Sequence, residues 1–203
     1  MASIYQLKSR FQDLLRPLVG WMAGRGITAN QVTVSAIVLS ALGGGALSLW
    51  PEAGWPFLLL PVILFLRMAL NAIDGMLARE HDMRSALGAV LNELGDVVSD
   101  LCLYLPFALL AGASPVLVIG ICLLAVIGEM TGVIGVQIGA SRRYDGPMGK
   151  SDRAVVFGTL GGLVGLGLAG ATVLNVILGL TLVLAAVTVV NRARMALREV
   201  AAS

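Results

Sequence analysis

The chain has 203 residues, of which 58% are hydrophobic and 13% are charged, and its formal net charge is +2 at pH 7. A soluble domain of this length does not bury so much apolar surface, so the composition excludes a soluble globular protein and predicts a polytopic membrane protein. Both cysteines, Cys102 and Cys122, lie in apolar runs. We interpret them as small buried hydrophobes, neither a disulfide nor a metal pair.

The first predicted element is an amphipathic juxtamembrane helix within residues 1–25. Its apolar residues recur at helical spacing and are Ile4, Leu7, Phe11, Leu14, Leu18 and Trp21. Charged and amide residues fill much of the rest. Such a helix is expected to lie among the lipid headgroups, although the pattern fits a helix packed on the protein's own cytoplasmic face nearly as well.

The remainder, residues 26–203, is predicted to form six transmembrane helices, so the fold class is an all-α integral membrane protein with an N-terminal interfacial helix. Apolar runs place the spans at about 30–50, 55–79, 86–111, 114–140, 154–171 and 172–191. The fifth span has glycines at small-xxx-small spacing, which favours close helix packing over a ligand groove.

Basic residues set the predicted orientation. Lys and Arg fall at the N-terminus, in the second and fourth loops and at the C-terminus, whereas the first, third and fifth loops contain none. Basic loops stay on the cytoplasmic side of a membrane. Both termini and the acidic cluster of the second and third spans are therefore expected in the cytoplasm.

That acidic cluster consists of two polar stripes on neighbouring helices. The second span carries Arg67, Asn71 and Asp74, and the third carries Asn92, Glu93, Asp96 and Asp100. At 100° per residue the stripes cover arcs of roughly 60° and 100°. A short loop makes the two helices antiparallel neighbours, which places Asp74 and Asp96 at similar depth near the cytoplasmic edge of the hydrocarbon.

Carboxylates at membrane depth are costly and are retained mainly where they meet water, a metal or a counter-charge. Several of them close together repel one another, and a Mg²⁺ or Mn²⁺ ion with Asp and Asn oxygen ligands would remove that repulsion. Gly75, Gly88 and Ala78 leave the helix surfaces open. The pattern suits a substrate with a diphosphate head and lipid tails; the alternative is a proton relay or polar network in a transporter.

The segment from Asn71 to Asp96 also resembles the signature of the CDP-alcohol phosphatidyltransferases, D-x-x-D-G-x-x-A-R-x(8)-G-x-x-x-D-x-x-x-D. Asp74, Gly75, Ala78, Arg79, Gly88 and Asp96 match that signature in register. The stretch Ile27-Thr28-Ala29-Asn30-Gln31-Val32-Thr33 resembles a second family motif, Thr-Pro-Asn-x-x-Thr. The resemblance, with the six-span layout, extends over most of the chain.

The resemblance implies transfer of a phosphatidyl group from a CDP-activated lipid to an alcohol acceptor, with release of CMP, in phospholipid synthesis. It implies Mg²⁺ or Mn²⁺ as cofactor, Asp96 as general base and Asp74 as principal metal ligand. The nucleotide site would comprise Asn30, Asp74, Gly75, Ala78, Arg79 and Gly88. The expected partners are the CDP-lipid, the acceptor, membrane lipids and a second copy in a homodimer, not nucleic acid, and the expected location is a bacterial inner membrane.

Two positions depart from the signature, because Asn71 and Asn92 stand where the family has its first and third aspartates. The four formal negative charges at the motif positions therefore fall to two. Glu93 and Asp100 lie on the same helical face and are expected to restore ligand charge, so the metal set is Asn71, Asp74, Asn92, Glu93, Asp96 and Asp100. We expect rebuilt or weakened activity; the alternatives are a non-catalytic member that binds CDP-lipid, metal or a partner, and then a transporter.

A second polar group follows the fourth span. Arg142, Arg143 and Lys150 lie there in a loop with several glycines. Guanidinium groups bind phosphate in bidentate fashion, and in family members with phosphorylated acceptors basic residues of this region hold the acceptor phosphate. Simple anchoring of the loop on the cytoplasmic side explains the same residues equally well.

Overall fold

The computed structural model describes residues 4–202, and side chains from residue 10 onward. Seven α-helices occur in this part of the chain, which contains no β-strand. They are α1 Ile4–Gly24, α2 Ala29–Leu49, α3 Gly54–Glu80, α4 Ala86–Tyr104, α5 Pro115–Gln137, α6 Lys150–Gly165 and α7 Ala171–Ala202. A short 3₁₀-helix, Leu105–Leu109, follows α4.

Four helices, α2, α3, α5 and α7, are long and apolar enough to cross a membrane. The all-helical fold predicted from the sequence is therefore confirmed for the described residues, in which these four helices are candidate membrane spans. Several predicted ends differ from the structure; for example, α7 continues to Ala202, beyond the predicted end at 191. The α4 helix stops at Tyr104, and Pro106, which has no backbone N–H to donate, lies in the 3₁₀ turn that follows. The α6 helix stops at Gly165, and Gly167 then takes a positive φ of 70°.

The chain folds as two compact units. The first comprises the part up to Leu42 together with Val62–Ser99, and the second comprises Gly43–Pro61 together with the part from Asp100 onward.

The core of the first unit joins α1, α2 and α3. Its buried residues are Val19, Ala29, Val32, Ile73, Met76 and Leu77. On α1, Val19 is fully buried, whereas Leu14 and Trp21 are exposed. The helix thus packs on the protein through a row that includes Val19, and Leu14 and Trp21 of the predicted apolar row face outward. Ile4 and Leu7 of that pattern lie outside the described side chains.

The second unit is held by buried aromatic rings and by glycines. Tyr104 stacks on Phe157 with ring centroids 4.2 Å apart, and Phe107 meets the same Phe157 edge-on at 5.1 Å. A Cβ at Gly161 would lie 3.0 Å from the Phe57 carbonyl oxygen. That glycine therefore permits close helix packing, as the small-residue spacing predicts.

Candidate functional site

The first unit contains a pocket of about 320 Å³ between α2, α3, the loop 81–85 and α4. Thirteen residues line it, and all six residues assigned to the nucleotide from the sequence are among them: Asn30, Asp74, Gly75, Ala78, Arg79 and Gly88. Asn92, one of the predicted metal ligands, lines it too. The structure thus brings together residues that are up to 62 positions apart in the chain, Asn30 to Asn92.

Asp74 is held at the wall of this pocket by a neighbouring helix. It is 5% exposed, and its Oδ2 accepts a hydrogen bond of 2.7 Å from Thr33 Oγ1 on α2. A buried carboxylate requires such a partner because losing water is costly for a charged group. Thr33 therefore fixes one oxygen of Asp74.

Glycines shape the pocket surface at two positions. A Cβ at Gly75 would lie 3.1 Å from Arg79 Nη1, so the missing side chain lets that guanidinium lie along the helix. A Cβ at Gly88 would lie 2.7 Å from Asn30 Oδ1 and 3.1 Å from Ser85 Oγ. Ser85 in turn accepts hydrogen bonds from the Gly88 backbone N–H at 2.9 Å and from Asn30 Nδ2 at 3.4 Å.

Asp96 is placed by two residues of α3. Its Oδ1 accepts a hydrogen bond of 3.2 Å from Asn71 Nδ2 and lies 3.5 Å from Arg67 Nη2. Arg67 Nη2 also donates to the Asp96 backbone oxygen at 3.0 Å. The Arg67 side chain is 4% exposed and that of Asp96 is 27% exposed. A buried guanidinium thus supplies counter-charge to a carboxylate that is still accessible to solvent.

The other predicted metal ligands have different surroundings. Asn92 is exposed and Glu93 is half-buried, and both lie in the half of α4 that is nearer to the loop 81–85. Asp100 is buried in the second unit, where its Oδ2 accepts hydrogen bonds from Arg153 Nη2 at 2.9 Å and Nε at 3.2 Å. Among the described residues, no group of three or more His, Cys, Asp or Glu side chains is placed to hold a metal ion.

The second unit contains a cluster of arginines centred on Glu129 of α5. Arg142 Nη2 donates to Glu129 Oε2 at 3.1 Å, Arg153 Nη2 donates to Oε1 at 3.3 Å, and Arg192 Nη1 lies 3.2 Å from Oε2. Arg192 Nη1 also donates to the Gly128 carbonyl oxygen at 2.7 Å.

Arg143, in the loop before α6, has its own acidic partners. Its Nε donates to Asp145 Oδ2 at 2.8 Å, and its Nη1 donates to Glu199 of α7. The Arg143 hydrogen bond holds the pKa of the Asp145 carboxyl below its usual range. Two of the three residues assigned to an acceptor phosphate, Arg142 and Arg143, are therefore paired with carboxylates of this unit.

Several residues of these two places are absent from the predicted nucleotide, metal and acceptor-phosphate sets. Thr33 is the last threonine of the stretch that resembles Thr-Pro-Asn-x-x-Thr, whereas only its spacing from Gly88 could have indicated Ser85. For Glu129, the usable signal was an acidic residue inside a strongly apolar segment. Arg153 and Arg192 had no signal beyond the positive charge that also marks cytoplasmic ends.

A sequence model of the CDP-alcohol phosphatidyltransferase family matches residues 26–201. The inner membrane protein YnbA of Escherichia coli (strain K12) is 49% identical over 161 residues, which are 78% of this chain and 79% of that protein.

Solved structures of the phosphatidylinositol phosphate synthase PgsA1 of Mycobacterium tuberculosis are also similar. The complex with manganese and citrate has a TM-score of 0.75 at 20% identity, covering 89% of this chain and 87% of that one. The form with CDP-DAG bound has a TM-score of 0.74 at 20% identity, covering 91% and 92%. At this level of identity the likeness establishes a shared fold.

Proposed function

This chain belongs to the CDP-alcohol phosphatidyltransferase family, and we propose that it transfers a phosphatidyl group from a CDP-activated lipid to an alcohol, releasing CMP. One observation carries the proposal: the six residues assigned to the nucleotide line a single pocket of the first unit. The synthase PgsA1, which shares the fold, is known with CDP-DAG bound. Arg79 supplies positive charge for the nucleotide phosphates, and the glycines admit the nucleotide close to the helices.

A divalent cation fits this pocket through its donor chemistry. Asp74 offers a carboxylate that Thr33 fixes from one side, and Asn92 offers an amide oxygen in the same pocket. Hard oxygen donors of this kind suit Mg²⁺ or Mn²⁺, which complete their coordination with substrate phosphate oxygens. Manganese is present in the related synthase structure. We assign Asp74 and Asp96, supported by Asn71 and Asn92, as the residues that would hold the ion, with Glu93 as a further ligand to be tested. Asp100 is paired with Arg153 in the second unit.

In the proposed reaction the acceptor hydroxyl attacks the phosphorus that carries the lipid. A new P–O bond forms to the acceptor, the P–O bond to CMP breaks, and the acceptor proton passes to the Asp96 carboxylate. Arg67 and Asn71 hold that carboxylate in place. When bound, the metal ion supplies positive charge that offsets the diphosphate and the departing CMP.

We propose the membrane location and topology that the sequence leads us to expect. The similar inner membrane protein of E. coli and the basic loops support an inner-membrane location with both termini and the pocket in the cytoplasm. The proposed topology has six spans, α2 to α7, after an interfacial α1 whose exposed Leu14, Leu18 and Trp21 contact lipid. A homodimer is proposed from the family resemblance, and cross-linking in native membranes would test it.

A single assay tests the proposed activity. Purified protein is incubated with CDP-diacylglycerol, Mg²⁺ or Mn²⁺ and a panel of alcohols, and released CMP is measured. Release of CMP that requires both an alcohol and the ion supports the proposal, and the Asp96→Asn variant serves as the inactive control. Absence of CMP with every acceptor would contradict it.

The second candidate function is a non-catalytic member that binds CDP-lipid without turnover. Asn71 and Asn92 favour it, because each removes a formal charge at a signature position. In that case CDP-lipid would bind to wild-type protein in calorimetry while no acceptor released CMP.

A further inference from the structure

The carboxylate of Glu129 stands among three guanidinium groups of the second unit. All three nitrogen–oxygen distances, to Arg142, Arg153 and Arg192, fall between 3.1 and 3.3 Å. The Arg153 and Arg192 side chains are 3% and 2% exposed, and Glu129 is 14% exposed. Guanidinium groups converge in this way on an oxyanion. Glu129 thus takes the position that a bound anion would take.

Acidic side chains match the positive charge of this cluster when it is taken together with the neighbouring Arg143. Besides Glu129, Arg153 bonds Asp100, and Arg143 bonds Asp145 and Glu199. The four arginines Arg142, Arg143, Arg153 and Arg192 are thus paired with the four carboxylates Asp100, Glu129, Asp145 and Glu199. A phosphate brings up to two negative charges and needs surplus positive charge to offset its lost hydration. These eight side chains together supply no surplus positive charge.

We propose that Glu129 is a specificity-determining residue that replaces an acceptor phosphate, so that the acceptor is an alcohol without a phosphate group. The inference rests on the proposed function, since only a transferase has an acceptor to select. A phosphorylated alcohol at this cluster would have to displace Glu129 from its ion pairs or lie beside it as a like charge. In either case the phosphorylated alcohol binds more weakly than the same alcohol without a phosphate. In this proposal Arg142 and Arg143 bind internal carboxylates rather than an acceptor phosphate.

The test combines an acceptor comparison with a binding measurement. With CDP-diacylglycerol and Mn²⁺, CMP release is compared for glycerol against glycerol 3-phosphate and for inositol against inositol phosphate. We expect the wild type to use the neutral alcohol of a matched pair at least about tenfold better, a difference set by unequal affinity. Faster turnover of the phosphorylated member would overturn the proposal.

Inorganic phosphate binding is measured by calorimetry on the same detergent-solubilised protein, which requires no turnover. Wild type is expected to show none, whereas Glu129→Gln, which keeps the shape and removes the charge, is expected to gain affinity by about tenfold or more. The matched control Glu199→Gln removes a carboxylate that contacts Arg143 but none of the three arginines around Glu129.

Each outcome of this binding arm decides the question. Phosphate binding by wild type, no gain in Glu129→Gln, or an equal gain in Glu199→Gln would each overturn the proposal. If Glu129→Gln fails to fold, the wild-type arms still decide it. If no acceptor releases CMP, the proposed function fails, while the binding arm still reports whether Glu129 fills an anion site.

Discussion

Gly88→Ala tests the geometry of the nucleotide pocket most sharply. The added Cβ would lie 2.7 Å from Asn30 Oδ1 and 3.1 Å from Ser85 Oγ, whereas an unstrained contact needs about 3.5 Å. The Asn30 amide must therefore move by roughly 0.8 Å or turn away. Both contacts are to the ends of flexible side chains, so the helices themselves need not shift.

The expected cost falls on ligand affinity. A displaced Asn30 amide would no longer offer its hydrogen bond to a nucleotide, worth about 1 kcal/mol, and the methyl group takes space from the pocket. Together these effects predict a loss of about 1.4 kcal/mol, or tenfold in affinity for a CDP-lipid. Stability should hardly change, because the higher helix propensity of alanine, at most about 1 kcal/mol over glycine, offsets the weakened Asn30–Ser85 hydrogen bond.

Calorimetry with CDP-diacylglycerol and Mn²⁺ measures the affinity, and thermal unfolding reports stability. Gly45→Ala is the matched control, since Gly45 also lies in a helix but a Cβ there would have no neighbour within 4 Å. It should leave affinity unchanged. The reasoning is refuted if Gly88→Ala binds as tightly as wild type, or if Gly45→Ala weakens binding equally.

Three further substitutions have defined outcomes. Asp96→Asn should abolish CMP release while CDP-lipid binding largely survives, because the base acts on the acceptor; near-wild-type turnover would show that the base is misassigned. Thr33→Val removes the donor to buried Asp74 and should lower the free energy of unfolding by about 1.5–3 kcal/mol, with Ser35→Ala as a control of unchanged stability. The Arg143 hydrogen bond lowers the Asp145 pKa from 3.8, so this carboxylate stabilises the fold above that pH and loses its effect as the pH falls below it. Thermal unfolding of wild type and Asp145→Asn should therefore differ slightly at neutral pH and converge in acid; a constant difference would contradict the assignment.

The local features of the first unit were largely predictable from the sequence. The spacing of Asp74, Gly75 and Arg79 along one helix, with Gly88 on the next, indicates a common surface because helical periodicity fixes which residues share a face. The four helices long and apolar enough to span a membrane were predictable because their apolar runs are long and uninterrupted. Their ends were less predictable, since a proline or a positive-φ glycine decides locally where hydrogen bonding stops.

The pairing of charges could not be predicted in the same way. Positive-inside placement and phosphate binding both require arginine in cytoplasmic loops. Whether Arg142 meets an external anion or Glu129 depends on how helices from distant parts of the chain pack. Asp100 is a comparable case: its spacing matches a ligand stripe, yet the structure pairs it with Arg153, 53 residues away.

The central claim is that a site with two aspartates and two asparagines is catalytically competent. CMP release by wild type and by the Asn71→Asp/Asn92→Asp variant, with CDP-diacylglycerol, Mn²⁺ and the acceptor panel, tests it directly. We predict an active wild type that the double change improves little, since added carboxylates would crowd a site already balanced in charge. An inactive wild type that gains turnover from the double change would contradict the account.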